Sequence, residues 1–186
     1  MMLKVLVTYA VQGEFAEIKW PDIEPYYVRT GIGKMKSAYF LSEVIRQVEP
    51  DVVINQGTAG SVGHRVGEVI VCDRFIDRDM KKLAGMGAEY EIDASALLAS
   101  KGLFPEWQGR GICNSGDSFL ASPGDMEGDV ADMEAYAQAF VCRAKGIPFV
   151  AVKYVSNVLG EKVAEQPVEE KMAEIRRRLS EFFIGK

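Results

Sequence analysis

Three apolar, β-branched runs constrain the fold of this chain more than any other feature: Lys4-Val5-Leu6-Val7-Thr8-Tyr9, Asp51-Val52-Val53-Ile54-Asn55, and Phe149-Val150-Ala151-Val152-Lys153-Tyr154-Val155. Each reads as a strand, and the first two as strands buried on both faces. Helical spacing fills the intervals. After the Gly31-Ile32-Gly33 break, Ala38, Leu41, Ser42, Ile45 and Val48 fall on one stripe, which Pro50 ends. Met133, Ala137, Phe140, Val141 and Ala144 form another stripe, closed by Gly146. A third carries Val168, Met172, Ile175, Leu179 and Phe182.

Weaker signals complete the pattern. Residues 26–29, 68–76 and 110–114 read as further strands, 56–60 as a Gly-containing turn, 85–87 as a loop and 93–101 as a short helix. Apolar runs alternating with amphipathic helices predict an α/β fold, a central, mixed and mostly buried sheet flanked by helices. With 186 residues and no repeat, low-complexity tract or Pro/Ser-rich linker, one domain over 1–186 is expected.

Composition narrows the function classes. The net charge of −5 disfavours a nucleic-acid or anionic-membrane binder, whose affinity rests on excess Lys and Arg. The basic run Arg176-Arg177-Arg178 lies in a Glu-rich helical pattern and reads as a solvated face. Cys72, Cys113 and Cys142 are widely spaced without a C-x-x-C pair, which points to a reducing compartment and no structural zinc. The apolar run 5–11 is too short to span a membrane and no small-residue cleavage site follows, so the cytoplasm is expected.

Polar groups just beyond strand ends are the favoured site positions in open α/β sheets. Four such groups occur: Gln12-Gly13-Glu14, Gln56-Gly57-Thr58-Ala59-Gly60, Ser115-Gly116-Asp117-Ser118-Phe119, and Lys153-Tyr154-Val155-Ser156-Asn157. Asp132-Met133-Glu134-Ala135 adds two carboxylates at a helix start. Each has a plainer reading: Asp132 as a helix cap, Glu134 as a helix-dipole residue, Gly57 and Gly60 as turn glycines, Phe119 as core. The lone His64, in a Gly-flanked loop, reads as a surface residue. No G-x-G-x-x-G follows the first strand, no P-loop occurs, and one His without clustered Cys makes a poor metal site.

Taken in order, these segments resemble the purine nucleosidase and nucleoside phosphorylase superfamily, closest to the MTA/SAH nucleosidases. Thr30-Gly31-Ile32-Gly33-Lys34 and the stretch from Pro50 to Gly60 resemble its first signature, continued by Val66-Gly67-Glu68-Val69-Ile70-Val71. Ser115-Gly116-Asp117-Ser118-Phe119, Asp132-Met133-Glu134-Ala135, and Gly146-Ile147-Pro148-Phe149 through Ser156 complete the likeness.

The resemblance implies cleavage of the N-glycosidic bond between a purine and a ribose-type sugar, without a cofactor or metal. Such chemistry needs a protonated leaving group, a stabilised oxocarbenium-like sugar and an activated nucleophile. By the same resemblance Glu14 activates the attacking water, and Glu134 holds the ribose hydroxyls with Met133 packing near the sugar. Thr58 stands where Ser is usual near the nucleophile, with Ala59 and Gly60 beside it as substrate contacts. Phe119 stacks on the base, the Leu120 backbone contacts it, and Lys153 stands where Arg is usual. Beside Ser156, the family's acidic Asp is replaced by Asn157, and an amide releases no proton near neutral pH.

Two alternatives follow from Asn157: a different base, or a nucleoside-binding protein with little turnover. An Asn amide suits a 6-oxopurine, donating to the carbonyl while its oxygen accepts from protonated N7, and the sequence is compatible with the futalosine hydrolases of the superfamily. Hydrolysis is favoured over phosphorolysis, because Glu14 follows the first strand where phosphorylases resembling the hexameric type place a phosphate-binding Arg. The resemblance implies that the stretches at 19–26 and 77–91, short in this chain, shape the 5′ side of the pocket. A homodimer is expected by analogy.

Overall fold

The computed structural model describes residues 2–103, 105–107, 111–124, 126–162 and 166–184. The chain runs through β1 (Leu3–Tyr9), β2 (Ile23–Arg29), α1 (Lys34–Val48), β3 (Val52–Ser61), β4 (Val69–Cys72) and β5 (Arg74–Asp77). There follow the short α2 (Arg78–Lys81), β6 (Glu91–Asp93), α3 (Ser95–Ser100), β7 (Ile112–Ser115), β8 (Val130–Asp132), α4 (Ala135–Ala144), β9 (Phe149–Val158) and α5 (Val168–Ile184). The strands form one mixed sheet in the order β2-β1-β3-β8-β7-β5-β6, with β9 paired to both β3 and β4. The pairs β1–β2, β1–β3, β3–β9, β5–β7 and β7–β8 are parallel, whereas β3–β8, β4–β9 and β5–β6 are antiparallel.

The period of two along a strand explains the continuous apolar runs. Leu6, Val53, Phe149 and Ala151 point to one face, where they meet Leu41 and Ile45 of α1 and Ala135, Ala139 and Cys142 of α4. Val5, Val7, Val52, Ile54, Val150 and Val152 point to the other, where they meet Leu98 of α3 and Ile175, Leu179 and Phe183 of α5. A sheet covered on both sides needs apolar residues at every position. The expected α/β architecture is therefore present. Among the described residues, no helix is long and apolar enough to cross a membrane.

Several local expectations are corrected. The turn expected at 56–60 is strand: β3 runs on to Ser61, paired in parallel with β9 along most of its length. Its glycines serve close approach and not a reversal, since a Cβ on Gly60 would lie 2.7 Å from Leu159 Cδ2. The strand expected over 68–76 is split at the buried Asp73 into β4 and β5, which pair with different partners. In α4 the buried face is Ala135, Tyr136, Gln138, Ala139 and Cys142, and Phe140 from the expected stripe is exposed. Ala135, Ala139 and Cys142 pack in the core beside Leu41 and Ile45 of α1, while Gln138 is buried through its bond with Thr8 Oγ1 (2.6 Å).

In α5 the buried residue near the end is Phe183, with Phe182 partly buried and Val168 exposed. Arg110, the first residue of the strand expected at 110–114, lies outside the described residues, and β7 begins at Ile112. Arg176, Arg177 and Arg178 are exposed, and Arg177 bonds to Glu174 and Glu181 on its own helix. His64 is half-buried, with Nδ1 2.9 Å from Glu68 Oε2.

Candidate active site

The C-terminal ends of β1, β3 and β9 converge with the start of α4 on one cleft of about 200 Å³. Its lining includes Glu14, Thr58, Ala59, Gly60, Phe119, Leu120, Met133, Glu134, Ser156 and Asn157, all of them expected site residues. Lys153 is absent from that lining. It lies one step below in β9, fully buried, with Nζ 2.7 Å from Asp132 Oδ2.

Glu14 ends a single 3-10 turn (Gln12–Glu14) that follows β1. The Gln56 side chain bonds both ways with the Ala16 backbone, at 3.3 and 3.0 Å, and ties the segment after the turn to β3. Four donors fix the Glu14 carboxylate. Oε1 accepts from Thr58 N (2.8 Å) and Thr58 Oγ1 (2.7 Å), and Oε2 from Ala10 N (3.3 Å) and Val11 N (3.2 Å). The approach of β3 is close enough that a Cβ on Gly57 would lie 3.3 Å from Glu14 Oε1. A carboxylate so restrained keeps one orientation at the cleft.

Glu134 sits at the N-cap of α4 and is buried. Its Oε1 accepts from Gly33 N at 2.9 Å. Gly33 caps α1 with φ +97°, a conformation that L side chains rarely adopt, so the Gly31-Ile32-Gly33 break serves to aim an N–H at this carboxylate. Burial, reinforced by the Asp132 charge, pushes the Glu134 carboxyl up to about 7, against the opposing pull of Lys153 and the Gly33 N–H.

Asp132 combines two functions. Its Oδ2 accepts from Ala135 N (2.9 Å), as a helix cap would, and also meets Lys153; its Oδ1 accepts from Ser115 Oγ (2.5 Å). The acid therefore anchors the segment that presents Met133 and Glu134.

At the opposite wall, the β3–β9 register shifts between Ala59 and Gly60, so that Ala59 faces Val155 and Gly60 faces Asn157. The extra residue, Ser156, is a bulge that breaks the alternation and brings both Ser156 and Asn157 to the cleft. Ser156 Oγ lies 3.1 Å from Asn157 Oδ1, with Ala59 O at 3.4 Å as the other acceptor. Phe119 is 76% exposed, so its reading as a core residue fails, and its ring is available at the cleft mouth.

Sequence reasoning missed Ile32, Ala10, Val11, Ala131 and above all Arg78, which also line the cleft. The four apolar residues carry no chemical signal. Arg78 had one: Asp77-Arg78-Asp79 is a charged triplet just past a strand, inside a stretch whose helical and strand periodicity is weak.

Residues 6–184 match the family model described as the phosphorylase superfamily. A 5′-methylthioadenosine/S-adenosylhomocysteine nucleosidase of Haemophilus influenzae (strain PittGG) is 32% identical over 180 residues, covering 85% of this chain and 78% of the relative. The nucleosidase of the same description from Geobacillus thermodenitrificans is 30% identical over 172 residues, covering 80% and 73%. Among solved structures, the Campylobacter jejuni 5′-methylthioadenosine/S-adenosyl homocysteine nucleosidase has the same fold, with a TM-score of 0.75 at 20% identity over 98% of this chain and 96% of that one. Futalosine hydrolase of Helicobacter pylori also shares it, with a TM-score of 0.71 at 16% identity over 99% and 96%. The chain belongs to the phosphorylase superfamily and, within it, to the nucleosidases.

Proposed function

We infer that this protein is an N-glycosidase that hydrolyses a purine nucleoside to free base and sugar. The observation that carries the reading is a pair of buried carboxyl groups, Glu14 and Glu134, on one cleft whose mouth presents an exposed aromatic ring, Phe119. Glu14, restrained by four donors, takes a proton from water as it attacks the anomeric carbon. Glu134 accepts from the ribose hydroxyls, and its negative charge offsets the positive charge that grows on the sugar ring toward the transition state. Met133 packs against the sugar, while Phe119 and the Leu120 backbone hold the base. Lys153 acts on these groups through Asp132.

Water, not phosphate, is the nucleophile in this reading. Among the described residues lining the cleft Arg78 is the only cation, and its terminal nitrogens are committed to main-chain carbonyls. A fixed carboxylate at position 14 would repel phosphate. The test is a nucleoside panel assayed with and without phosphate: free base and free sugar should form at the same rate in both, and a sugar 1-phosphate would contradict the assignment.

Asn157 supports a 6-oxopurine as the base. The Ser156 hydroxyl donates to Asn157 Oδ1 and so leaves the Nδ2 hydrogens to reach a carbonyl at purine position 6. A nucleoside-binding protein with little turnover is the second reading, favoured by the same absence of an acid. It predicts saturable nucleoside binding without release of base. The exposed Met35 and Tyr39, four residues apart on α1, with the exposed Ile32 just before the helix, support a homodimer, and three buried free cysteines are compatible with the cytoplasm.

A further inference from the structure

Arg78 is a buried cation that hydrolysis leaves without a task. It opens α2 directly after β5, is 8% exposed, and reaches the cleft wall. Its partners are carbonyls. Nη1 donates to Asn114 O (2.9 Å) and Asp132 O (3.0 Å), and Nη2 to Gly116 O (3.2 Å) and Ser118 O (2.5 Å). These four oxygens belong to the end of β7, the end of β8 and the loop leading to Phe119 and Leu120. Taking a guanidinium out of water is costly, and the cost is offset only where the rigid fork meets well-placed acceptors.

Gly116 is the counterpart of this arrangement. A Cβ there would lie 2.5 Å from Arg78 Nε and 2.6 Å from Cζ, so the loop closes over the guanidinium only because residue 116 has no side chain. Among the described residues the buried Nε has no partner, and no accessible donor edge is left for an anionic ligand. Its neighbour Asp79 grips the same loop from outside: Asp117 N donates to Asp79 Oδ2 (2.9 Å), and Lys34 Nζ bonds to Asp79 Oδ2 (2.8 Å).

We propose that Arg78 is the positioning residue of the base-side wall, setting the spacing between the Phe119–Leu120 backbone and the Asp132–Glu134 segment and so the affinity for the purine. The proposal rests on the reading of the cleft as a purine nucleoside site. The residue acts through the wall. Its loss should therefore raise KM more than it lowers kcat, because the base-side loop is released while Glu14 keeps its four donors, Glu134 its bond from Gly33 N and Asp132 its Lys153 partner.

The experiment compares the parent with Arg78→Met, Arg78→Lys and Gly116→Ala, using inosine and adenosine for kinetics, hypoxanthine and adenine for calorimetric binding, and thermal melting for stability. Arg78→Met should raise KM and weaken free-base binding by about tenfold, the equivalent of one lost hydrogen bond, with kcat changed less than about threefold. Arg78→Lys keeps the charge but not the fork and should not restore KM. Gly116→Ala displaces the guanidinium without removing it and should raise KM in the same direction, which keeps the test decisive even if Arg78→Met does not fold. Phe119→Ala should cost less in the Arg78→Met background than in the parent. KM within about twofold of the parent in Gly116→Ala and in whichever Arg78 variants fold, or a loss confined to melting temperature and kcat, would overturn the proposal alone. A parent that neither binds nor cleaves purines would overturn the nucleoside reading and the proposal together.

Discussion

Lys153 Nζ lies 2.7 Å from Asp132 Oδ2, and the two side chains are 1% and 0% exposed. Burial resists ionisation of Asp132, but the Lys153 ammonium, the Ser115 hydroxyl and the Ala135 N–H outweigh it and hold the carboxyl below its ordinary range. Burial likewise opposes the charge on Lys153, and the carboxyl groups of Asp132 and Glu134 more than restore it. The pair is the base on which Glu134 is mounted, two residues along the chain.

Lys153→Met should consequently destabilise the protein by roughly 3–5 kcal/mol, since it leaves a buried carboxylate without its cation. Adding Asp132→Asn in the same background should recover part of that loss by removing the stranded charge. Urea denaturation of the two variants and the parent measures both effects. A midpoint for Lys153→Met equal to the parental one would show that water reaches and solvates Asp132.

Glu134 links stability to pH. Its carboxyl is raised from 4.5 to about 7 in the folded protein, so the folded state keeps a proton that the unfolded chain has already released. The stabilising contribution is complete below pH 4.5 and is lost as pH rises through about 7. Glu134→Gln should therefore be more stable than the parent at pH 8, by on the order of 1–3 kcal/mol, and lose that advantage toward pH 4.5. Activity runs the other way: kcat/KM of the parent should rise with pH through about 7 as the carboxyl ionises, and Glu134→Gln should lack both that limb and most of the activity. A variant that cleaves ribonucleosides at the parental rate would reduce Glu134 to a helix-dipole residue.

In the proposed mechanism Glu14→Gln removes the proton acceptor and keeps the shape. The amide also turns an N–H₂ group toward one of the donor pairs, Thr58 N and Oγ1 or Ala10 N and Val11 N, that now bond the carboxylate. Loss of a positioned general base lowers kcat by about 10²–10⁴-fold, and the variant should still bind free base with parental affinity. Parallel loss of base binding would mean that the substitution disturbs the cleft and not the chemical step.

The sheet was legible because its strands are buried on both faces, and continuous runs such as 51–55 have few other uses. The chain's order of strand-end polar groups was equally legible, and ten of the eleven expected site residues line one cleft. What escaped depended on long-range packing. The extension of β3 through Gln56-Gly57-Thr58-Ala59-Gly60 is decided by the partner strand β9, not by local glycine preference. The split at Asp73 and the bulge at Ser156 are properties of pairing, invisible in either strand alone. Lys153 is visible as a cation at a strand end, but only the structure shows that it faces Asp132 instead of the cleft.

Base selectivity provides the sharpest test of Asn157. With the Ser156 hydroxyl 3.1 Å from Oδ1 as its donor, the proposed reading leaves the Asn157 N–H₂ for the base. A purine carbonyl at position 6 accepts from that group, whereas a 6-amino group would meet donor against donor. The parent should therefore favour inosine-type over adenosine-type nucleosides. Asn157→Asp replaces the donor by an acceptor, or by an acid for N7 when protonated, and should shift preference toward 6-aminopurines. One well-placed hydrogen bond to a charged group contributes about 1.5–3 kcal/mol, so the ratio of kcat/KM values should move by roughly tenfold or more. If the protein binds nucleosides with little turnover, the same substitution should create turnover on adenosine-type substrates. Both substrates measured on both proteins decide the point: a parent that already prefers adenosine-type nucleosides, and an Asp variant that changes nothing, would mean that residue 157 does not read the base.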